Sequence, residues 1–127
     1  MASCYCGDKP EVYMKRTRIS RKPKSCIECG CSIRNGEQYE DVRGLYEGLW
    51  FSCRTCDRCV ALRQWVVAHV PCFCWTHDSL HDDMAETIDQ YWHETVGFKF
   101  GFLRRLHAIR KRAAQDAAER IRTGWAS

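Results

Sequence analysis

The chain has 127 residues, of which 45% are hydrophobic and 28% charged, and its formal net charge is +4 at pH 7. That length suits one domain, or a small domain with an appendage, and that composition argues against a predominantly disordered chain. No N-terminal apolar stretch has the length of a signal peptide and none approaches a membrane span, so the expectation is a cytoplasmic protein with no membrane partner.

In chain order, Glu11 to Ser20 mixes β-branched and aromatic residues with bases, which predicts an exposed strand or an extended arm. Arg21-Lys22-Pro23-Lys24 breaks that pattern, and Cys26 to Gly30 forms a tight turn whose glycine permits a left-handed backbone. After the Asn35-Gly36 turn signal, Glu37 to Leu45 and Leu49 to Arg54 read as a hairpin, with Leu49 and Phe51 on one face and Trp50 on the other. A helix is predicted from about Cys56 to Val70, capped by Thr55, stopped by Pro71 and using Leu62, Trp65 and Val66 as its core face. Ser79 with Asp82 marks a second helix start, and Leu80, Met84, Ile88, Tyr91 and Trp92 follow at helical spacing. Gly97 to Gly101 predicts a break. A last helix is expected from about Phe102 to Arg122, with Phe102, Leu106, Ile109, Ala113, Ala117 and Ile121 as its apolar stripe. The reading is a small α+β protein, with a module over residues 1–77 and a helical hairpin over residues 78–127.

The cysteines point to metal. Eight of ten fall in four close pairs: Cys4-x-Cys6, Cys26-x-x-Cys29, Cys56-x-x-Cys59 and Cys72-x-Cys74. Two residues between thiolates let the backbone curl around one tetrahedral ion, and reduced thiols in a cytosolic chain serve as ligands and not as disulfides. The spacing therefore predicts two zinc ions. The first is held by Cys26, Cys29, Cys56 and Cys59. The second is held by Cys4, Cys6, Cys72 and Cys74, with His77 as an alternative to one of these cysteines. Cys31 or Cys53 is an alternative ligand at the first site, and a secreted disulfide scaffold is the rival to metal binding altogether.

The order Cys-x-x-Cys-Gly, hairpin, then Cys-x-x-Cys at a helix start resembles the treble-clef zinc finger over about residues 25 to 70. A wider stretch, including Arg21 to Cys29, Gly36-Glu37-Gln38-Tyr39-Glu40, Thr55 to Cys59 and Ala68 to Trp75, resembles small uncharacterised zinc-binding proteins of bacteriophages and prophages. That resemblance implies a bacterial host cytoplasm and a phage-related role, and no defined activity. Treble clefs serve nucleic-acid binders, interaction modules and some nucleases, so the fold leaves function open.

Charge is in blocks. Lys9 to Lys24 carries seven bases against one acid, Asp78 to Glu94 carries six acids and no Lys or Arg, and Lys99 to Arg122 carries eight bases against two acids. Lys15, Arg16, Arg18, Arg21, Lys22 and Lys24, with Arg104 and Lys111 on the last helix, are the candidate phosphate contacts. The plainer expectation for the last two blocks is mutual cancellation in an antiparallel helix pair. The leading functional expectation is a non-enzymatic zinc protein that docks on a macromolecule, nucleic acid first. The alternatives are a host or phage protein as partner, inhibition of a host defence system, self-association through the long last helix, or a treble-clef nuclease. The nuclease is disfavoured because the hairpin has no histidine to act as base.

Overall fold

The computed structural model describes residues 10–91 and 97–123. The expected ligands Cys4 and Cys6 lie outside the described residues. The elements run β1 (Val12–Ile19), β2 (Lys24–Ser25), β3 (Ser32–Ile33), β4 (Gln38–Tyr46), β5 (Leu49–Cys56), α1 (Asp57–His69), α2 (Leu80–Tyr91) and α3 (Phe98–Arg122). β2 and β3 form a short antiparallel pair around the first cysteine turn, and β1, β4 and β5 form an antiparallel sheet with β4 in the middle.

The hairpin β4–β5 turns on Glu47 and Gly48, whose φ angles are 51° and 77°. Two successive left-handed residues give the turn that matches the twist of the flanking strands. β5 runs two residues further than expected, to Cys56, and β4 is shifted by one residue. The basic segment before the first cysteine turn is a true edge strand, since every residue of β1 pairs with β4.

Register sorts the sheet into two faces. Val42, Glu40, Cys53 and Thr55 point inward, where α1 covers them. Glu40 receives two hydrogen bonds from the Arg63 guanidinium of α1, and both side chains are buried. Arg63 also stacks over Trp75, its guanidinium carbon 4.4 Å from the ring centroid. The opposite face carries Met14, Arg16, Arg18, Asp41, Arg43, Trp50 and Arg54.

One core runs through the molecule. Cys26, Ile33, Leu62, Val66, Leu80, Met84, Ile88, Phe98, Phe102 and Ile109 belong to a single buried cluster, so the segments on either side of His77 pack together. Three expectations change. Cys56, not Thr55, precedes α1 at the cap position; Thr55 is the last residue but one of β5 and is buried. The last helix begins at Phe98 and passes through Gly101 without a break. The physical reason is packing: the Trp65 ring lies so close against Gly101 that any Cβ would overlap it. Finally, α3 packs against α1 and not alongside α2, and among the described residues the α2 acids make no ion pair with α3 bases.

The bases of α3 are instead divided. Arg105 stacks on Trp65, 4.1 Å from its ring centroid, and Arg112 pairs with Glu37. The far half of α3 is held by the buried Asp116, which accepts hydrogen bonds from the Ser32 N–H and hydroxyl, each at 2.7 Å, and from Arg34. Burial raises the Asp116 carboxyl, but Ser32, Arg34 and Arg112 outweigh it and hold the group below its ordinary value. Of the expected apolar stripe, Phe102 and Ile109 are buried, whereas Ala113 and Ile121 are exposed. No helix among the described residues is long and apolar enough to cross a membrane.

Candidate metal centre

Cys26 and Cys29 stand in the turn between β2 and β3, Cys56 ends β5, and Cys59 lies in the first turn of α1. The turn closes locally: Gly30 donates to the Cys26 carbonyl at 2.9 Å with φ 74°, and the Cys26 N–H donates to the Cys31 carbonyl at 2.9 Å. The Ile27 N–H donates to the Arg54 carbonyl at 2.9 Å and docks the turn on β5. The four sulfurs then all lie within 4.8 Å of one another, with Cys29 and Cys56 3.7 Å apart. Ligands ~2.3 Å from a tetrahedral ion sit ~3.8 Å from each other, so the set has the size of a metal centre. Cys26, Cys56 and Cys59 are buried and Cys29 is half-buried.

The surroundings suit thiolates. The N–H groups of Cys56 and Glu28 donate to the Cys26 sulfur at 3.3 and 3.4 Å, and the set lies at the electropositive start of α1. The four thiols cannot ionise independently. Hydrogen bonds from Cys29, Cys56 and Cys59 push the Cys26 thiol far down, while the hydrogen bonds that Cys29 and Cys59 make within the set, with burial, push those two thiols far up. A divalent cation resolves that conflict by neutralising all four together. The residues present therefore fit a metal ion.

Two residues outside the ligand set support it, and neither is visible from cysteine spacing. His81, in the first turn of α2, places Nε2 3.4 Å from the Cys59 sulfur. Burial lowers its pKa, and a neutral ring in the tautomer that carries its proton on Nε2 can donate to a metal-bound thiolate there. Glu28, inside the cysteine turn, accepts the N–H of Asp78 at 3.0 Å and of Leu80 at 3.1 Å. It thereby ties the turn to the N-terminus of α2, where a carboxylate is favourable. The helix start read at Ser79 is where α2 begins, with Glu28 as a longer-range cap.

The alternative ligands stand apart from the four. Cys31 directs its sulfur to the Ile109 carbonyl at 3.8 Å, and Cys53 is buried on the inner face of the sheet. At the expected second centre, the Cys72 and Cys74 sulfurs are 3.9 Å apart, too far to be bonded to each other. A second centre there with Cys4 and Cys6 requires all four thiols in the reduced state. His77 accepts or donates at Nε2 to the Tyr13 hydroxyl, 2.9 Å away, and packs edge-on against Trp75.

Of the candidate phosphate contacts, Lys15, Arg16, Arg18, Arg21 and Lys22 are exposed on β1 and the following turn. Lys24 is turned inward, bonded to the Lys22 carbonyl at 3.1 Å and set over the Tyr39 ring. Arg104 and Lys111 are exposed on α3. Arg43 and Arg54 join Arg16 and Arg18 on one sheet face, a meeting that only strand register determines. No protein family, curated protein or solved structure matches the chain.

Proposed function

We propose that this protein is a non-catalytic, zinc-organised module of treble-clef type that binds nucleic acid. The centre supports the structural half of that reading. Four sulfurs fill a tetrahedral shell, leaving no position for a substrate, and an all-thiolate set favours zinc. The order of cysteine turn, hairpin and helix, with ligand pairs in the turn and at the helix start, is that of a treble clef. The second expected zinc belongs to the same proposal and depends on reduced Cys72 and Cys74.

The observation that carries nucleic-acid binding is how the bases are disposed. Arg63 is matched with Glu40 and Arg112 with Glu37, while Lys15, Arg16, Arg18, Arg21 and Lys22 stay at the surface, and of these five only Arg18 has an acid partner among the described residues, Asp41. Unmatched surface cations attract phosphate and release its counterions on binding. A protein partner is the second reading, favoured by Leu49 and Trp50, 74% and 67% exposed at the hairpin end.

Metal analysis with native mass spectrometry, run with and without an oligonucleotide, tests both halves. Zinc bound at one equivalent supports the described centre, and two equivalents support the second. Affinity for the oligonucleotide should fall steeply with salt, with a log–log slope of roughly −0.7 per phosphate contact on a single strand. Absence of bound metal, or an oligonucleotide affinity indifferent to salt, overturns the reading.

A further inference from the structure

The sheet has one covered face and one open face, and the open face has an unusual chemical content. Cross-strand register aligns Arg16 with Asp41 and Arg54, Met14 with Arg43 and Ser52, and Val12 with Leu45 and Trp50. Arg18, beside Tyr39, completes the row near the cysteine turn. Four arginines therefore share this face with one acid.

That acid is placed to organise the arginines and not to cancel them. The Asp41 side chain is only 7% exposed, lying beneath Arg18, whose Nε is 2.9 Å from Oδ2, and Arg43, whose Nε is 3.9 Å away. Both arginines approach through Nε. The two side chains remain 44% and 62% exposed. Arg16 and Arg54 flank Asp41 in the same cross-strand row and form no ion pair among the described residues. A guanidinium held through Nε keeps its paired Nη donors for a second oxyanion, the geometry that phosphate recognition uses. Trp50 lies at the other end of this face with its indole mostly open to solvent.

We propose that this open face is the seat of a single-stranded nucleic acid, with Arg16, Arg18, Arg43 and Arg54 on its phosphates and Trp50 stacked on a base. The inference rests on the nucleic-acid reading above and narrows it to one surface and one strand state. The sheet's shape selects the strand state. The ~12 Å major groove of a duplex admits a helix or a two-stranded ribbon. Three strands ~4.8 Å apart, with side chains at their margins, present a broader platform than that. A single strand lies across such a platform and offers unpaired bases to an exposed ring.

The test uses the full chain in its metal-loaded state and a short labelled oligonucleotide, single-stranded and then annealed to its complement, followed by fluorescence anisotropy. Arg43→Gln with Arg54→Gln should flatten the log–log salt slope by about 1.4, roughly 0.7 per contact. Trp50→Ala should weaken binding about fivefold to a hundredfold, the range of one base–aromatic stack. Arg104→Gln with Lys111→Gln on α3 should change affinity less than the sheet pair does. Metal content and circular dichroism are recorded for every variant. If the sheet variants fold and bind like wild type while the α3 variants lose affinity, this surface assignment is wrong and the broader reading survives. Equal or tighter binding of the duplex overturns the strand assignment. If the unaltered protein binds neither form, the broader reading falls and this inference with it. Should the Arg43/Arg54 pair unfold, Arg16→Gln on the exposed edge strand, expected to flatten the slope by about 0.7, decides in its place.

Discussion

Glu40 and Asp41 are chain neighbours in β4 and both are buried, yet they face opposite ways and do different things. Glu40 looks inward and is matched by one arginine, Arg63, equally buried and bonded through both amino groups. Asp41 looks outward and sits beneath two arginines that stay largely in water. The first pairing locks α1 to the sheet. The second leaves a surplus of oriented positive charge at the surface. Alternation along one strand thus makes a covered face and an open, arginine-rich face from the same residue types, the difference being what covers each side.

The largest perturbation of that contrast comes from the cysteine centre, because α1 starts there and α1 is what covers the inner face. Removing the ion with a strong chelator, or Cys56→Ser, should unfold the β5–α1 junction and abolish the distinction between the faces. Structural zinc in small fingers contributes an apparent ~10–16 kcal/mol, as much as the ~5–15 kcal/mol stability of an ordinary domain. Circular dichroism before and after chelation checks this; an unchanged spectrum would refute it.

Breaking only the inner face requires Arg63→Ala, which strands the buried Glu40 carboxylate. The expected loss is about 3–5 kcal/mol, the usual consequence of leaving a buried charge unpaired. Urea denaturation measures it, and a midpoint within error of wild type would count against the lock. Asp41→Asn should be the mildest, within about 1 kcal/mol, because its arginine partners are solvent-screened. It should nevertheless weaken oligonucleotide binding, since Arg18 and Arg43 lose the group that orients them. Unchanged affinity in a folded Asp41→Asn variant would show that the carboxylate does not preorganise this face.

Much of this arrangement is legible without coordinates wherever the cause is local. The hairpin follows from Gly48 and the flanking alternation, the cysteine turn from two-residue spacing and Gly30, and the helix after Cys56 from its apolar period. Gly97 does mark a break, standing before α3 with φ 85°, but Gly101 misleads because glycine is read as a breaker, whereas it is a contact point for Trp65 from another helix. The charge blocks mislead in a similar way. The last helix is matched to Glu37, Trp65 and the cysteine turn, and not to its acidic neighbour in sequence.

Residue spacing singled out the two pairs Cys26/Cys29 and Cys56/Cys59, since the two residues between such cysteines curl the backbone and bring their sulfurs together, while the docking of the cysteine turn on β5 brought the pairs to one place and left Cys31 and Cys53 apart. Tertiary structure alone decided that His81 reaches Cys59, that Asp116 closes on Ser32, and that Arg43 and Arg54 gather with Arg16 and Arg18. Those meetings depend on strand register and helix docking. Both are set by the fit of whole faces against one another, which no short window of sequence contains.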